Sequence, residues 1–372
     1  MIKKKNLRDN LWSVLFFVAL LLLTILMIVL IGTLQSSEPE KGKIVGGVFI
    51  GSVSDGGWNE NHYKGLQKAC DAYGLTLITE EFVDEKEEAC EKAVKSLVDR
   101  KAAVIFFTSD GFGDNVKRVV ESYPDVAFYT ISPESGASNL TTYYGRMYQI
   151  RYLAGMIAGQ MTRTNVLGYV AANSNVQVDR GVNAYLLGAR SVNPDVVVKV
   201  RMTGTWFDEE KERVAAQALI DEDGADILTH HTSTSNTVDV AEANGVMSIG
   251  YNCTKTQYSR NFLASLVFYW DALYKAILRN YIKGSAPEGD AYWLGATEGV
   301  VGIENFSPYV TEAMKGQIKR KRASFEKGND VFLGEIRCVD GTIMCRPDER
   351  ISDHSLLFDM NWFVEGVEVD GE

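Results

Sequence analysis

Residues 43–59, KIVGGVFIGSVSDGGWN, predict a buried strand that ends in a polar, glycine-containing loop. The apolar run Ile44–Ile50 passes into small residues around Asp55, Trp58 and Asn59, and a helical pattern follows directly. Strand ends of this kind, at the start of a helix, are where α/β proteins place their ligands. The Trp58 indole is suited to stacking on a planar solute, with Asp55 and Asn59 hydrogen-bonding to the edge of that solute. The alternative is a tryptophan that fills the space between the loop and the core.

The same strand-then-helix pattern repeats along the chain. Apolar, β-branched runs predict eight strands, at Lys43–Phe49, Leu75–Phe82, Ala103–Thr108, Ala127–Ser132, Val166–Ala171, Val196–Met202, Asp226–His231 and Val246–Tyr251. Helical patterns lie between them, at Asn61–Ala72, Glu85–Arg100, Asp114–Ser122, Ile150–Thr162, Arg180–Val192, Asp208–Asp221 and Thr237–Ala243. Such alternation predicts an α/β fold of parallel sheets with helices on both faces. Because the pattern changes near Tyr143–Tyr148, we expect two sheets in two lobes, with the ligand site in the cleft between them.

The helix after Tyr148 contains a pair of small residues, Gly155 and Gly159, spaced four apart. In a bilayer this spacing favours helix dimerisation. Arg151 and Arg163 bracket the pair, so we expect close helix packing inside a soluble lobe instead.

The last part of the chain differs in character. Further helices are predicted near Ser265–Tyr281 and Glu312–Glu326. After them we expect a hairpin around Asp340-Gly341 and a tail, Leu356–Val367, that covers the hinge or an exposed sheet edge. Cys338 and Cys345 either pair across this hairpin or are two ordinary strand residues.

The N-terminus predicts a membrane anchor. Leu11–Leu34 is 24 residues without a charge and follows Lys3, Lys4, Lys5 and Arg8. About 20 apolar residues span a bilayer, and basic flanks stay on the cytoplasmic side. We therefore expect the bulk of the chain outside the cell, attached to the lipid bilayer through this helix. Cleavage near Thr33–Ser37 is the alternative, although a signal peptide has an apolar region of only about 7–15 residues.

Charge and motifs exclude several functions. The net charge of −11 over 372 residues argues against nucleic acid, whose backbone requires a basic surface. The chain has no GxGxxG, GxxxxGK[ST], HExxH or GxSxG motif, and its four histidines show no metal-ligand spacing. We therefore expect no cofactor, no metal and no enzyme activity. A nucleoside-processing enzyme that uses Asp55 with His62 or His231 as acid and base lacks a visible nucleophile–base–orienter set.

Polar and aromatic residues recur where the predicted strands end. The candidate ligand contacts in these loops are Ser109, Asp110 and Phe112 after the third strand, Trp206 after the sixth, His231 and Thr232 after the seventh, and Asn252 after the eighth. Trp58 and Trp206 are expected to sandwich one planar ligand when the lobes close, while polar side chains form hydrogen bonds with the edge of that ligand. The alternatives are that Trp206 packs at a helix start, that His231 is a structural histidine, and that Asp55 and Asp110 serve as caps or turns.

Several segments together resemble the basic membrane protein family of substrate-binding proteins. They are SDGGWNENHYKGL, FFTSDGFGD, YLAGMIAGQMT, DRGVNAYLLGARSVNPD, GTWFDEEKE and GADILTHHTST, in that order along the chain. The resemblance implies a two-lobed type I periplasmic-binding-protein fold with a hinge, an ABC transporter permease as partner, and a purine base or purine nucleoside as ligand. Family members usually carry a lipidated cysteine, whereas this chain begins with an apolar run.

The resemblance also implies roles for individual residues. The family's first-loop aspartate, aromatic and asparagine fall on Asp55, Trp58 and Asn59, and its second stacking aromatic falls on Trp206. The aspartate and lysine that contact ribose in nucleoside-binding members are replaced here by Asn252 and Phe268. Positions shared with purine-base binders are His62, Arg180 and the WFD run that begins at Trp206. A free base is therefore expected over a nucleoside.

The expected organisation assigns residues 1–10 to the cytoplasm, 11–34 to the anchor and 35–42 to a linker. The first lobe is expected over 43–147, completed by about 266–300. The second lobe is expected over 148–265, completed by about 301–328, with the hairpin and wrapping tail over 329–372. Two alternatives to import remain open: a receptor that signals ligand to a membrane partner, and a binder of another small solute such as a sugar.

Overall fold

The structure, a computed structural model, describes residues 20–24, 27, 43–55, 57–132, 137–252, 258–285, 291–326 and 330–370. The chain divides into two units, residues 1–42 and 43–372. In the first unit residues 20–24 and 27 are helical, and the rest of the predicted anchor, like the predicted cytoplasmic segment and linker, lies outside the described residues. Within the described residues, none of the helices combines the length and the apolar character that a membrane crossing requires.

The second unit alternates strands and helices, as predicted. Its strands are β1 Ile44–Val48, β2 Thr76–Glu80, β3 Ala102–Phe107, β4 Ala127–Thr130, β5 Leu140–Gly145, β6 Val166–Ala171, β7 Val197–Met202, β8 Ile227–His231, β9 Met247–Tyr251, β10 Phe262–Phe268, β11 Ala291–Leu294, β12 Val301–Glu304, β13 Ile336–Arg337, β14 Ile343–Cys345 and β15 Val367–Val369. Its α-helices are α1 Trp58–Tyr73, α2 Glu87–Asp99, α3 Gly113–Glu121, α4 Met147–Met161, α5 Val176–Arg190, α6 Glu209–Asp221, α7 Asn236–Ala243, α8 Trp270–Lys283 and α9 Glu312–Phe325.

Two sheets form the cores of two lobes. The first has the strand order β11-β5-β4-β3-β1-β2 and the second β12-β10-β9-β8-β6-β7-β15. All neighbours are parallel except β10 and β12, which are antiparallel. Because helices cover both faces, central strands such as β3, AAVIFF, are apolar almost throughout. The predicted two-lobed α/β fold of parallel sheets is confirmed.

The chain passes between the lobes at one edge of both sheets. It crosses after β5, after β10 and between β11 and β12. β11 and β5 are the two outermost strands on one side of the first sheet, and β12 and β10 are the two outermost strands on one side of the second. The opposite edges, at β2 in the first sheet and at β7 and β15 in the second, lie away from the crossings. The crossings therefore form the hinge, and the cleft opens at the far edges.

The predicted helix near Ser265–Tyr281 was wrong at its start. Residues up to Phe268 belong to the buried strand β10, FLASLVF, and α8 begins only at Trp270. A short, continuous apolar run fits a buried strand and a buried helix equally well, because neither leaves a polar face to set the period. The strands β11, β12 and β15 were not predicted because they are only three or four residues long. β5 was not predicted because its sequence, LTTYYG, neither alternates nor forms a continuous apolar run.

The predicted close packing around Gly155 is confirmed. A Cβ atom at Gly155 would lie 2.0 Å from the backbone oxygen of Tyr185, and a Cβ atom at Gly188 would lie 2.0 Å from that of Tyr152. These reciprocal contacts join α4 to α5, and Gly159 similarly approaches the backbone of α5 at Ala189. Helix backbones this close leave room only for glycine.

The C-terminal segment forms a hairpin and then lies along the second lobe. Strands β13 and β14 pair antiparallel around Asp340-Gly341, where Gly341 has a φ of 85°. Cys338 and Cys345 are both buried free thiols. Farther on, β15 pairs in parallel with β7. The tail thus covers the outer edge of the second sheet, which would otherwise expose unpaired backbone groups.

Candidate functional site

A cavity between the two lobes collects loops from the carboxyl ends of strands in both sheets. It encloses about 620 Å³ of space, its open mouth included. The first lobe lines it with Ile50, Gly57, Trp58, Ser109, Asp110, Ile131 and Tyr144. The second lobe lines it with Gln177, Trp206, His231, Thr232, Ser233, Tyr251 and Asn252. Both tryptophans for which we predicted stacking therefore lie on one cavity, one from each lobe.

Asp55 organises the loop that carries Trp58. Its Oδ1 accepts hydrogen bonds from the backbone N–H groups of Gly57, at 2.8 Å, and Glu60, at 3.0 Å, while its Oδ2 accepts from Asn59 Nδ2 at 2.7 Å. Free N–H groups at a helix start attract such a carboxylate. Asp55 and Asn59 therefore do not line the cavity but hold the loop at the start of α1, which corresponds to the capping alternative for Asp55.

The Trp58 indole is fixed by the same lobe. Its Nε1 donates a hydrogen bond to the backbone oxygen of Thr108 at 2.7 Å, and its ring contacts the edges of His62 and Trp270 at centroid distances of 4.5 and 5.5 Å. With its N–H group already paired, Trp58 offers the cavity an apolar ring surface. This is what stacking on a planar ligand requires.

A row of aromatic rings links the two tryptophans across the lobes. Ring centroids are 6.3 Å apart for Trp58 and Phe268, 6.2 Å for Phe268 and Tyr251, 4.8 Å for Tyr251 and His231, and 5.9 Å for His231 and Trp206. All four contacts are edge-on. We call these five residues the aromatic row.

Polar groups join the lobes beside the aromatic row. Gln177 Nε2 of the second lobe donates to Asp110 Oδ1 of the first at 2.9 Å and to the backbone oxygen of Ile131 at 3.2 Å. Tyr144 of the first lobe and Tyr251 of the second both line the cavity, and burial raises the pKa of Tyr144 to about 12 and that of Tyr251 well above its usual value. The tyrosines are therefore uncharged, and the lobes have direct contacts at the cavity wall.

The loop after β8 is anchored by a buried carboxylate. Glu212 Oε2 on α6 accepts hydrogen bonds from Thr232 Oγ1 at 3.0 Å and Thr234 Oγ1 at 2.5 Å. Burial raises the pKa of Glu212. The hydroxyl of Thr232 is thus committed to the lobe, although the residue lines the cavity.

Two cavity-lining side chains carry buried polar atoms with no hydrogen-bond partner among the described residues. They are Asn252 Nδ2 and His231 Nδ1. The Asn252 amide is oriented, because its Oδ1 accepts from the backbone N–H of Phe268 at 3.3 Å, and its φ of 50° is one that asparagine tolerates. Asn252 therefore presents an unpaired N–H donor at the cavity wall.

Phe112 and Phe268 lie elsewhere than on the cavity wall. Phe112 is fully buried in the first lobe and packs against Phe107 at 5.6 Å. Phe268 stacks on Trp270 at a centroid distance of 4.3 Å and lies behind Tyr251 within the aromatic row. Phe112 was predicted as a ligand contact because it follows a strand, and Phe268 because the resemblance places it where nucleoside-binding members carry a lysine. In the structure both side chains belong to the packed interior.

Arg180 does not line the cavity either. Its guanidinium is 2% exposed, lies 5.1 Å from the ring centroid of Trp293, and donates to the backbone oxygen of Leu356 in the tail. Burial lowers its pKa to about 10. Arg180 thus fastens the C-terminal tail to α5, which no local motif indicated.

Half of the residues that line the cavity were not predicted as ligand contacts from the sequence. The missed residues are Ile50, Gly57, Ile131, Tyr144, Gln177, Ser233 and Tyr251. Tyr144 was missed because β5 was not recognised as a strand. Gln177 follows β6. Ligand contacts were predicted in the loops after β7, β8 and β9, but none was predicted after β6.

Three buried histidines lie in or beside the aromatic row: His231 is part of it, His62 contacts Trp58, and His230 contacts Tyr251. Burial lowers the pKa of His62 and of His231 well below the usual value, and that of His230 to about 3. The charge of Arg151 contributes in the same direction at His230 and His231. His62 stacks on Trp270 at 3.8 Å, and all three histidines are uncharged at neutral pH. Among the described residues, no group of His, Cys, Asp and Glu side chains could hold a metal ion.

Acid is expected to destabilise the fold through these three histidines. In the unfolded chain each has a pKa of about 6.5 and takes up a proton that the folded chain excludes. Stability is therefore complete above about pH 6.5 and falls as the pH drops towards the lower folded pKa values, by about 1.4 kcal/mol per pH unit for each histidine. Urea unfolding between about pH 7.5 and 5 measures this slope.

A matched pair of variants tests whether these histidines cause the pH dependence of the free energy of unfolding. His62→Phe keeps an aromatic ring against Trp270 and removes one of the three protonations, so the pH dependence becomes shallower. His354→Gln changes an exposed residue of the tail and leaves the slope unchanged. An unaltered slope in His62→Phe would contradict the assignment.

The fold and the cavity define a class of proteins: two-lobed binding proteins of the periplasmic-binding-protein-like type, which hold a small molecule between their lobes. Residues 43–330 match the Bmp family, described as ABC transporter substrate-binding protein PnrA-like. The chain belongs to this family of substrate-binding proteins, and the resemblance to basic membrane proteins is confirmed. Membership implies a small-molecule ligand and a permease partner.

Individual relatives bear different names. The chain is 35% identical over 342 residues to a Haloferax volcanii protein provisionally named the ABC transporter glucose-binding protein TsgA13, covering 90% of this chain and 83% of that one. It is 31% identical over 336 residues to a purine-binding protein of Brucella abortus, covering 90% and 95%. Its fold is similar to the crystal structure of a transcriptional activator of the comK gene from Bacillus halodurans, with a TM-score of 0.67 and 24% identity, covering 77% of this chain and 99% of that one.

Proposed function

We propose that this substrate-binding protein holds a free purine base between its lobes and delivers it to an ABC importer. The observation that carries the proposal is the pair of half-buried tryptophans, Trp58 and Trp206, which come from opposite lobes to one cavity. A flat heterocycle between two indoles gains about 1–3 kcal/mol per stacked ring. The relative from Brucella, named as purine-binding and 31% identical, supports the same ligand class.

The polar groups of the cavity suit the edge of a purine. Asn252 Nδ2 is an N–H donor, and Asp110 and Ser109 supply oxygen atoms on the opposite lobe. A purine carries ring nitrogens that accept hydrogen bonds and N–H groups that donate them. The aspartate and lysine that contact ribose in nucleoside-binding members are replaced by Asn252 and by Phe268, whose apolar ring packs behind the cavity wall. Because these residues offer no charged partners to a ribose, they favour a base over a nucleoside.

Closure would follow from contacts to both lobes. A ligand that touches Trp58 and Trp206 binds the closed form better than the open one and so shifts the equilibrium to the closed form. The hydrogen bonds of Gln177 with Asp110 and with the backbone oxygen of Ile131 span the same cleft. Direct bonds between the lobes reduce the closure energy that the ligand must supply.

Calorimetry with the full-length chain in mild detergent tests the ligand class. Adenine, guanine and hypoxanthine are titrated alongside adenosine, inosine and glucose. Binding of at least one base more tightly than its nucleoside and than glucose is expected. Binding of none of the bases would refute the proposal, and product analysis after prolonged incubation with inosine would expose any enzyme activity.

A sugar is the second candidate ligand, and one observation favours it. The relative from Haloferax, 35% identical, is provisionally named as glucose-binding, and aromatic rings also stack on sugar rings. In the titration above, glucose binding without purine binding would establish this candidate. Loss of purine uptake on deletion of the gene would favour import, and unchanged uptake with altered transcription would favour a sensing receptor.

Asn252→Asp is expected to weaken base binding by about 1–3 kcal/mol, or roughly 5- to 150-fold in Kd. The change removes the donor Nδ2 and places a carboxylate against the ligand's acceptor. Calorimetry against the tightest-binding base measures the effect. Asn244→Asp, at an exposed helix end, is the control and keeps full affinity; equal affinities for both variants would remove Asn252 from the binding site.

We also propose that Leu11–Leu34 anchors the chain in the cell membrane with the lobes outside. Its 24 uncharged residues and the preceding basic residues support this placement. Alkaline carbonate extraction of membranes from the host, followed by N-terminal sequencing, tests it. Retention of the intact N-terminus in the membrane pellet is expected, whereas a soluble chain that begins near Thr33–Ser37 would show cleavage.

A further inference from the structure

Each lobe exposes one phenylalanine on a loop beside the cleft. Phe82 is 73% exposed and Phe207 is 66% exposed, the two highest values among the large hydrophobic side chains that the structure describes. Single exposed apolar residues are common on protein surfaces and need no explanation by themselves. The positions of these two and the charges around them are less ordinary.

Both phenylalanines lie at the mouth of the cleft. Phe82 follows the carboxyl end of β2 and Phe207 follows that of β7. Carboxyl ends of parallel strands face the cavity. On the side away from the hinge crossings, β2 is the edge strand of the first sheet and β7 is next to the edge strand β15 of the second. The two rings are therefore presented on the two sides of the opening, where their separation changes most when the lobes open or close.

The backbone at Phe82 is in an unusual conformation. Its φ is 56°, in the left-handed region that a bulky side chain adopts only at the expense of strain. A glycine at this position would relieve the strain and remove an exposed apolar ring. A large aromatic residue there has no packing role that would explain it, since most of its surface contacts solvent.

Phe207 is joined directly to the ligand cavity. Its neighbour Trp206 lines the cavity while Phe207 is exposed. The Oγ1 atom of Thr205 accepts a hydrogen bond from the backbone N–H of Phe207 at 3.3 Å, and Asp208 begins α6 by accepting from the backbone N–H of Lys211 at 3.1 Å. Trp206 and Phe207 are therefore consecutive residues of one hydrogen-bonded loop, one at the cavity and the other at the surface.

Acidic side chains flank both rings. Glu81 and Asp84 are exposed beside Phe82, with Asp84 paired to Lys86 at 2.6 Å, and Glu209 and Glu210 are exposed just after Phe207, followed by Lys211. Acids outnumber lysines on both loops. A second copy of this chain would bring the same acids to the interface, and an anionic membrane surface would repel them. The charge favours a protein surface with apolar recesses bordered by Lys and Arg.

We propose that Phe82 and Phe207 are the two anchors by which this protein docks on the outer face of its ABC transporter permease. Each ring enters an apolar recess on the permease, and the acidic residues pair with basic side chains at the rim. Because the rings are on different lobes, both fit only at the spacing of the closed form. The proposal depends on membership in the substrate-binding family and not on the identity of the ligand.

Site-specific photocrosslinking in the native host tests the docking. Phe82, Phe207 or, as control, Val339 is replaced in the full-length chain by p-benzoylphenylalanine, an aromatic photoreactive residue. Val339 is exposed on the C-terminal hairpin, far along the chain from both loops. Irradiated membranes are analysed by mass spectrometry, and thermal melting confirms that each substituted chain is folded.

A covalent product with a permease subunit is expected from positions 82 and 207 and not from 339, and it decreases in high salt. A product from only one of the two positions, an equal product from 339, a product with a second copy or with lipid, or the absence of permease products would overturn the proposal. The result is independent of the purine titration, so a chain that binds no purine and still crosslinks to the permease would refute the ligand alone.

Discussion

Trp58→Ala and Trp206→Ala are each expected to weaken purine-base binding by about 1–3 kcal/mol, or roughly 5- to 150-fold in Kd. Each substitution removes one stacking surface from the cavity shared by the lobes. If both indoles grip one ligand, the two losses are not independent, because removal of one ring loosens the ligand against the other. Calorimetric titration of the single and double variants as a double-mutant cycle measures the coupling.

Trp362→Ala is the matched control for this experiment. Trp362 is a half-buried tryptophan of the tail whose backbone oxygen accepts from Asn183 Nδ2 at 2.8 Å, a contact that the substitution keeps. It should bind ligand as the parent chain does. Unchanged affinity in Trp58→Ala or Trp206→Ala, with a folded protein by circular dichroism, would contradict the stacking arrangement.

Gly155→Ala and Gly188→Ala are each expected to destabilise the protein by about 3 kcal/mol or more. In each case the new methyl group would lie 2.0 Å from a backbone oxygen of the facing helix. Backbone cannot rotate out of the way as a side chain does, so α4 and α5 must separate and lose their tight contact. Urea unfolding monitored by tryptophan fluorescence gives the change in free energy.

Gly316→Ala, on a third helix, is expected to change stability in the opposite direction. At Gly316, within α9, a Cβ atom would meet only the end of the Arg320 side chain at 3.5 Å. Alanine is favoured over glycine in a helix interior by about 1 kcal/mol, so this variant is expected to be slightly more stable. Similar destabilisation in all three variants would show that helix packing is not the cause.

The alternating part of the fold was predictable because each element there has its own local signal. Strands β1 and β6 are apolar runs bounded by turn residues, and α6 begins at Asp208 with acids in its first turn. β11 and β12 are four residues long and join distant partners. Each pairs within its own sheet with a strand far away in the sequence, and no local pattern expresses such a pairing.

The candidate site was predictable where it is made of strand-end loops. Trp58, Ser109, Asp110, Trp206, His231, Thr232 and Asn252 all line the cavity. The side chains that sequence reasoning misplaced, such as Phe112 and Arg180, are ones whose chemistry serves the interior equally well. An aromatic or charged residue in the sequence shows which part of the chain lies near the site. Whether its side chain reaches the cavity or the core depends on packing, which the sequence pattern does not show.

The last strand of the chain has a consequence for biosynthesis. β11 completes the first sheet once residues 291–294 have left the ribosome. β15 completes the second sheet beside β7, so the second lobe lacks a strand until residues 367–369 have been made. Until then β7 is an open edge able to pair with another nascent chain. A premature stop a few codons early would thus leave a nearly full-length product that is prone to aggregate.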